Sequence, residues 1–160
     1  MYREKEKGDK NMNKEEMRYN SARKYYERNL SDRPWETVLA CYEVVWNTID
    51  NGYLKMRNCE VHEYASKFLE LHEKYCPNSV VTPTGGKFSD HSAYIKFRMD
   101  EMQSYVILNG YPVPVKDFYN KFMPCYEAFT YIIADMKDNG LFDGTEENEY
   151  NFHAEFINWN

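Results

Sequence analysis

The stretch of this chain closest to a chemical motif is Asp135-Met136-Lys137-Asp138-Asn139-Gly140-Leu141-Phe142-Asp143-Gly144-Thr145-Glu146. It resembles an EF-hand calcium loop at several points: an acid first, Asn fifth, Gly sixth for the sharp turn, an apolar residue eighth, Asp ninth and Glu twelfth. Lys137 occupies the third position, where an oxygen ligand belongs, and its ammonium would repel a cation. The same letters also spell a helix C-cap followed by acids suited to the start of a new helix. Asp50-Asn51-Gly52, which lacks acids at the later ligand positions, uses the same letters as plain punctuation. A degenerate calcium-binding module is therefore a secondary reading.

His72 and Cys76 stand four residues apart on a helical pattern, with Glu73 between them as in zinc-peptidase helices, but a second His is missing. His62-Glu63 is followed four residues on by Ser66, and His62 and His72 lie roughly 80° apart around a helix. Helix-face histidines beside solvated glutamates account for both. Thr82-Pro83-Thr84-Gly85-Gly86-Lys87-Phe88-Ser89 has the look of a phosphate loop, yet Phe88 separates Lys87 from Ser89 and Pro83 removes an amide donor. Lys87, Asp90, His91 and Tyr94 are the candidates for a pocket in a small enzyme or ligand-binding domain, the competing function class, although their spacing names no reaction. No cofactor, metal or catalytic set is assigned.

Two stretches carry binding chemistry instead. Arg18, Tyr19, Arg23, Lys24, Tyr25, Tyr26 and Arg28 interleave bases with aromatics, a composition that grips phosphates and stacks bases. The patch is short, and a helix complementing the protein's own acidic surface is the simpler account. At the other end, Glu146, Glu147, Glu149, Tyr150, Phe156 and Trp159 place bulky aromatics among acids. Aromatics of this kind anchor in a partner's pocket while the carboxylates steer toward a basic groove. These six residues are the expected partner-binding site, against the alternative of a C-terminal helix docked on the protein's own core.

The elements that must position these residues are mainly helical. Residues 1–12 are polar and charged and are expected to form a disordered leader, with residues 13–160 a single globular domain ending in an acidic tail, 145–160, free to stay flexible. An imperfect apolar stripe begins at Asn13. Trp35, Val38, Leu39, Tyr42, Val45, Trp46 and Ile49 put one apolar face on a second helix, closed by Gly52. A third runs from about Asn58 to Cys76, with Glu63 and Lys67 paired at i, i+4 on its outer side. Ile95, Phe97 and Met99 then alternate with polar residues, and Asn109-Gly110 supplies a hairpin turn. The rival there is a helix sharing Ile95, Met99, Met102 and Val106 on one face. Helix returns over Lys116 to Asp138, interrupted at Pro124, and Thr145 can cap a last short one. The expected fold class is thus α+β, predominantly helical, with four to six helices and a small antiparallel hairpin or meander near residues 94–115.

Composition bounds the rest. The 160 residues carry a net charge of −6, but residues 1–30 hold nine Lys/Arg against six acids, while from Asp135 onward seven acids face only Lys137. An acidic body repels nucleic acid and membrane surfaces and favours a basic partner. Cys41, Cys59, Cys76 and Cys125 form no C-x-x-C pair and follow no signal peptide, so reduced, mostly buried thiols in the cytoplasm are expected. The resulting expectation is a non-enzymatic protein-interaction module with an acidic, Tyr-rich surface and a basic protein partner, direct nucleic-acid and membrane binding being disfavoured. A phage or mobile-element inhibitor of a nucleic-acid-handling protein, in the manner of an anti-CRISPR, would suit the size and charge.

Overall fold

The computed structural model describes residues 13–53, 58–83, 96–97, 100 and 123–159. Five helices account for most of them: α1 Lys14–Asn29, α2 Trp35–Asp50, α3 Asn58–Tyr75, α4 Met123–Asp138 and α5 Glu146–Trp159. The helix α2 is the axis of the packing, touching α1, α3 and α4, while α5 packs on α4. Its sequence pattern gives one apolar face, but the structure buries every residue from Ala40 to Thr48. A helix without a solvent face must be surrounded, and its polar side chains must find partners indoors. Thr48 Oγ1 donates to the Val44 carbonyl at 2.6 Å, and Asn47 Nδ2 donates to Asp135 Oδ2 on α4 at 3.0 Å.

Caps fix where the helices stop. The Asn13 side chain accepts from Glu16 N at 2.8 Å and closes the start of α1. Pro124 falls in the first turn of α4, where its missing N–H costs nothing. Both Asp-Asn-Gly sequences end their helices in the same doubly bonded, left-handed cap. At α2, Gly52 has φ +80°, with Gly52 N bonding Ile49 O and Tyr53 N bonding Thr48 O. At α4, Gly140 has φ +74°, with Gly140 N bonding Lys137 O and Leu141 N bonding Met136 O.

The second cap is also a junction. Thr82 N donates to Asn139 O at 3.0 Å, and His72 Nδ1 donates to Leu141 O at 2.9 Å. The strand-like run after α3 therefore lies directly over Gly140. An added Cβ there would sit 1.7 Å from the Val80 carbonyl oxygen, a backbone atom. Only glycine satisfies both the φ and the close approach.

The α+β expectation is corrected. No strand occurs among the described residues, and the part of 94–115 that is described, Lys96, Phe97 and Asp100, is helical. Ile95, Phe97 and Met99 repeat at strand spacing while Ile95, Met99, Met102 and Val106 repeat at helical spacing, and local alternation cannot separate the two when both fit. The rest of that segment lies outside the described residues, as does the leader 1–12.

Glycine substitution separates the two caps. Gly52→Ala meets nothing within 4 Å and should cost only the left-handed penalty of about 1–2 kcal/mol. Gly140→Ala carries the same penalty plus a backbone collision, and urea denaturation should show it losing several kcal/mol more than Gly52→Ala. Equal losses would mean that Val80 does not lie over Gly140.

Candidate functional site

The acidic C-terminal stretch is a helix, and its geometry sorts the six expected partner-binding residues. Thr145 starts it: Asn148 N donates to Thr145 Oγ1 at 3.3 Å, and Asp143 Oδ1 accepts from Thr145 N at 3.0 Å. The Thr145 N–H first, and next the Asn148 side chain, whose Nδ2 donates to Asp143 Oδ1 at 3.1 Å, hold the Asp143 carboxyl below its usual range. Phe152 is fully buried, its ring 5.7 Å from Phe129, 5.4 Å from Phe142 and 6.1 Å from Phe68. Truncating a buried Phe of this kind costs about 3–5 kcal/mol, so Phe152 is committed to the core. His153 stacks on Phe129 at 4.5 Å.

Glu149 also turns inward. It is 9% exposed and its Oε2 lies 3.4 Å from Lys137 Nζ. Tyr150 faces the opposite way at 73% exposure, and Glu146 and Glu147 are exposed one turn before it. Phe156 and Trp159 belong to the last turns of α5, and their side chains lie outside the described residues. Among the described side chains, then, the outward group is Glu146, Glu147 and Tyr150. Glu155 is engaged across the surface with Lys74 Nζ at 3.2 Å and the Tyr75 hydroxyl at 3.4 Å.

The motif-like residues are absorbed by the fold. Asp135 is buried within α4 rather than opening a loop, and Asn139 Nδ2 donates back to its carbonyl at 2.8 Å. The twelve residues from Asp135 to Glu146 therefore form a helix end, a left-handed cap and a new helix start. No group of three or more His, Cys, Asp or Glu able to hold a metal occurs among the described residues. Cys76 Sγ accepts from Asn148 Nδ2 at 2.9 Å, tying α3 to α5. Burial pushes the Cys76 and Cys41 thiols up, and both cysteines are free. Lys87, Asp90, His91 and Tyr94 lie outside the described residues.

The basic and aromatic residues of α1 are spent largely on docking that helix. Arg18 makes a two-pronged bond to Asp50 at 2.7 and 2.8 Å, joined by Lys14 at 3.1 Å, and Arg18 above all holds the Asp50 carboxyl below its usual range. Arg23 covers the Trp35 ring at 4.9 Å, and the Tyr26 hydroxyl donates to Arg33 O at 2.7 Å.

One cluster escaped the sequence reading. His62, on α3, stacks flat against Tyr25 of α1 at 4.4 Å, with its Nδ1 2.5 Å from the Tyr42 hydroxyl and its Nε2 3.5 Å from Ser21 Oγ. The partners lie 41, 37 and 20 positions away, so no local spacing announces them. His62, Tyr42 and Ser21 line one end of a cleft of about 570 Å³ between α1, α2 and α3, shared with Lys14, Arg18, Ala22, Trp46, Ile49 and Val61.

Burial lowers the His62 pKa below the ordinary histidine value. Above about 6.5 His62 is neutral folded or unfolded, and its contribution is fully present. As pH falls from there through the folded value, the unfolded chain takes up a proton first and stability is lost. The urea midpoint of the wild type should therefore fall between pH 7 and 5.5 more steeply than that of His62→Gln; parallel curves would contradict a neutral, half-buried His62. No protein-family model, curated protein or solved structure matches this chain, so these side chains and their geometry are the whole basis for its function.

Proposed function

We propose that this chain is a non-enzymatic protein-interaction module that offers the outer face of α5 to a basic protein partner. The observation that carries the reading is Tyr150, a large aromatic left 73% exposed beside Glu146 and Glu147 on a helix already anchored by Phe152. Burying a tyrosine in a partner's pocket supplies affinity, and flanking carboxylates raise the association rate with a basic surface. The net charge of −6 works in the same direction at longer range. Buried free thiols at Cys41 and Cys76 suit a reducing cytoplasm, and no helix among the described residues is long and apolar enough to cross a membrane. The narrower form of the proposal, a phage or mobile-element inhibitor of a nucleic-acid-handling protein, is supported by the size and charge of the chain.

A nuclease-treated pulldown from the native host tests it. Wild-type bait should retain a basic protein that is released by moderate salt, and Tyr150→Ala combined with Glu146→Lys and Glu147→Lys should weaken capture by roughly 30-fold or more, the scale of a single interface hot spot. Circular dichroism should show the variant as helical as the wild type, because all three side chains are exposed. Undiminished capture by the folded variant, or no salt-sensitive basic protein at all, contradicts the proposal.

A further inference from the structure

The cleft at His62 has the parts of a small-molecule site rather than of a packing defect. Its size, about 570 Å³, lies within the ordinary range for ligand pockets. One wall is apolar: Ala22, Trp46, Ile49 and Val61. At the other end the polar atoms are held in order. Tyr42 is completely buried, and burial keeps its phenol protonated. Its O–H needs an acceptor, and His62 Nδ1 at 2.5 Å is that acceptor. The neutral imidazole then carries its hydrogen on Nε2, which points toward Ser21 Oγ and the cleft. Stacking of Tyr25 on the ring fixes the direction.

At 3.5 Å the Nε2 to Ser21 Oγ contact is long for a hydrogen bond, so an incoming oxygen acceptor can take the Nε2–H while the serine hydroxyl rotates to donate its own hydrogen. The imidazole N–H and the serine O–H are thus two donors at one end of an otherwise apolar space. The charges at the rim agree with that polarity. Lys14 and Arg18 line the cleft and share a single carboxylate, Asp50, leaving the trio with a net charge of +1 in a chain of net −6. Two adjacent donors with Lys14 and Arg18 at the rim select an anion, and the apolar wall selects its body.

We propose that the α1–α2–α3 cleft binds an amphipathic organic monoanion, a carboxylate carrying an aromatic or aliphatic body, with its oxygens on Ser21 Oγ–H and His62 Nε2–H and its body against Trp46, Ile49 and Val61. The site is separate from the outer face of α5, so the two proposals stand or fall independently.

The test uses isotope-labelled full-length protein and 4-phenylbutyrate, with 4-phenylbutanol and 4-phenylbutylamine as neutral and cationic controls, followed by NMR. The carboxylate should shift the His62 ring and Trp46 indole signals saturably and bind at least about tenfold more tightly than the alcohol, one hydrogen-bonded charge being worth that factor. The amine should not bind. Ser21→Ala with Lys14→Gln, both exposed positions whose replacement leaves the helices in place, should weaken the carboxylate about tenfold. The proposal is overturned if His62 shows no saturable shift, if the amine binds as well as the carboxylate, or if the folded double variant binds unchanged.

Discussion

Everything in this fold follows from the absence of a solvent face on α2. Residues 40–48 are buried without interruption, so the chain has to supply neighbours on every side of that helix, and among the described residues α1, α3 and α4 are those neighbours. The same burial dictates the polar chemistry inside. An amide or carboxylate withdrawn from water costs on the order of 1–3 kcal/mol when left without a partner. Asn47 and Asp135, 88 positions apart, meet for that reason, and their bond sets how α4 lies against α2. The core is aromatic as much as aliphatic: Tyr42, Phe68, Phe129 and Phe152 are all fully buried.

The second constraint is the junction over Gly140. The end of α3, the run through Val80 and Thr82, the cap of α4 and the start of α5 are joined there by His72, Asn139 and Asn148. Its members are the residues that look most chemical in the sequence: a histidine and a cysteine at helical spacing, and an acid-rich Asp-Asn-Gly loop. Their types serve geometry. A histidine Nδ1–H reaches a carbonyl, a thiol accepts an amide hydrogen, and a glycine lets two backbones touch. With those groups occupied, the outer face of α5 and the cleft beneath α1 remain open among the described residues.

How much of this was legible depends on range. Helix ends could be read locally, because Gly52 and Gly140 follow Asp-Asn and because Thr145 precedes an acidic turn. The boundaries of α3 followed from period and from Pro77. All-round burial of α2 was not legible, since an apolar face at positions 35, 38, 42, 45 and 49 says nothing about what covers Glu43 and Asn47. In the acidic stretch, the sequence allowed a short helix capped by Thr145 but did not fix its rotation. Phe152 and Glu149 turn inward because three aromatic rings and Lys137 wait on other elements, information absent from residues 145–160. Strand and helix could not be separated near Phe97 for the reason that both periods fit. The His62 cleft draws its side chains from three helices distant in sequence, and no short motif encodes that.

The most direct test of the account is native-state hydrogen exchange resolved along the chain. If α2 is the buried axis, amides of residues 42–48 should exchange only through global unfolding, with protection equal to the full unfolding free energy, whereas α1, which buries a single residue, Ala22, should open at lower cost. Exchange in the middle of α2 as fast as in α1 would contradict it, because a helix enclosed on all sides cannot open before its surroundings do.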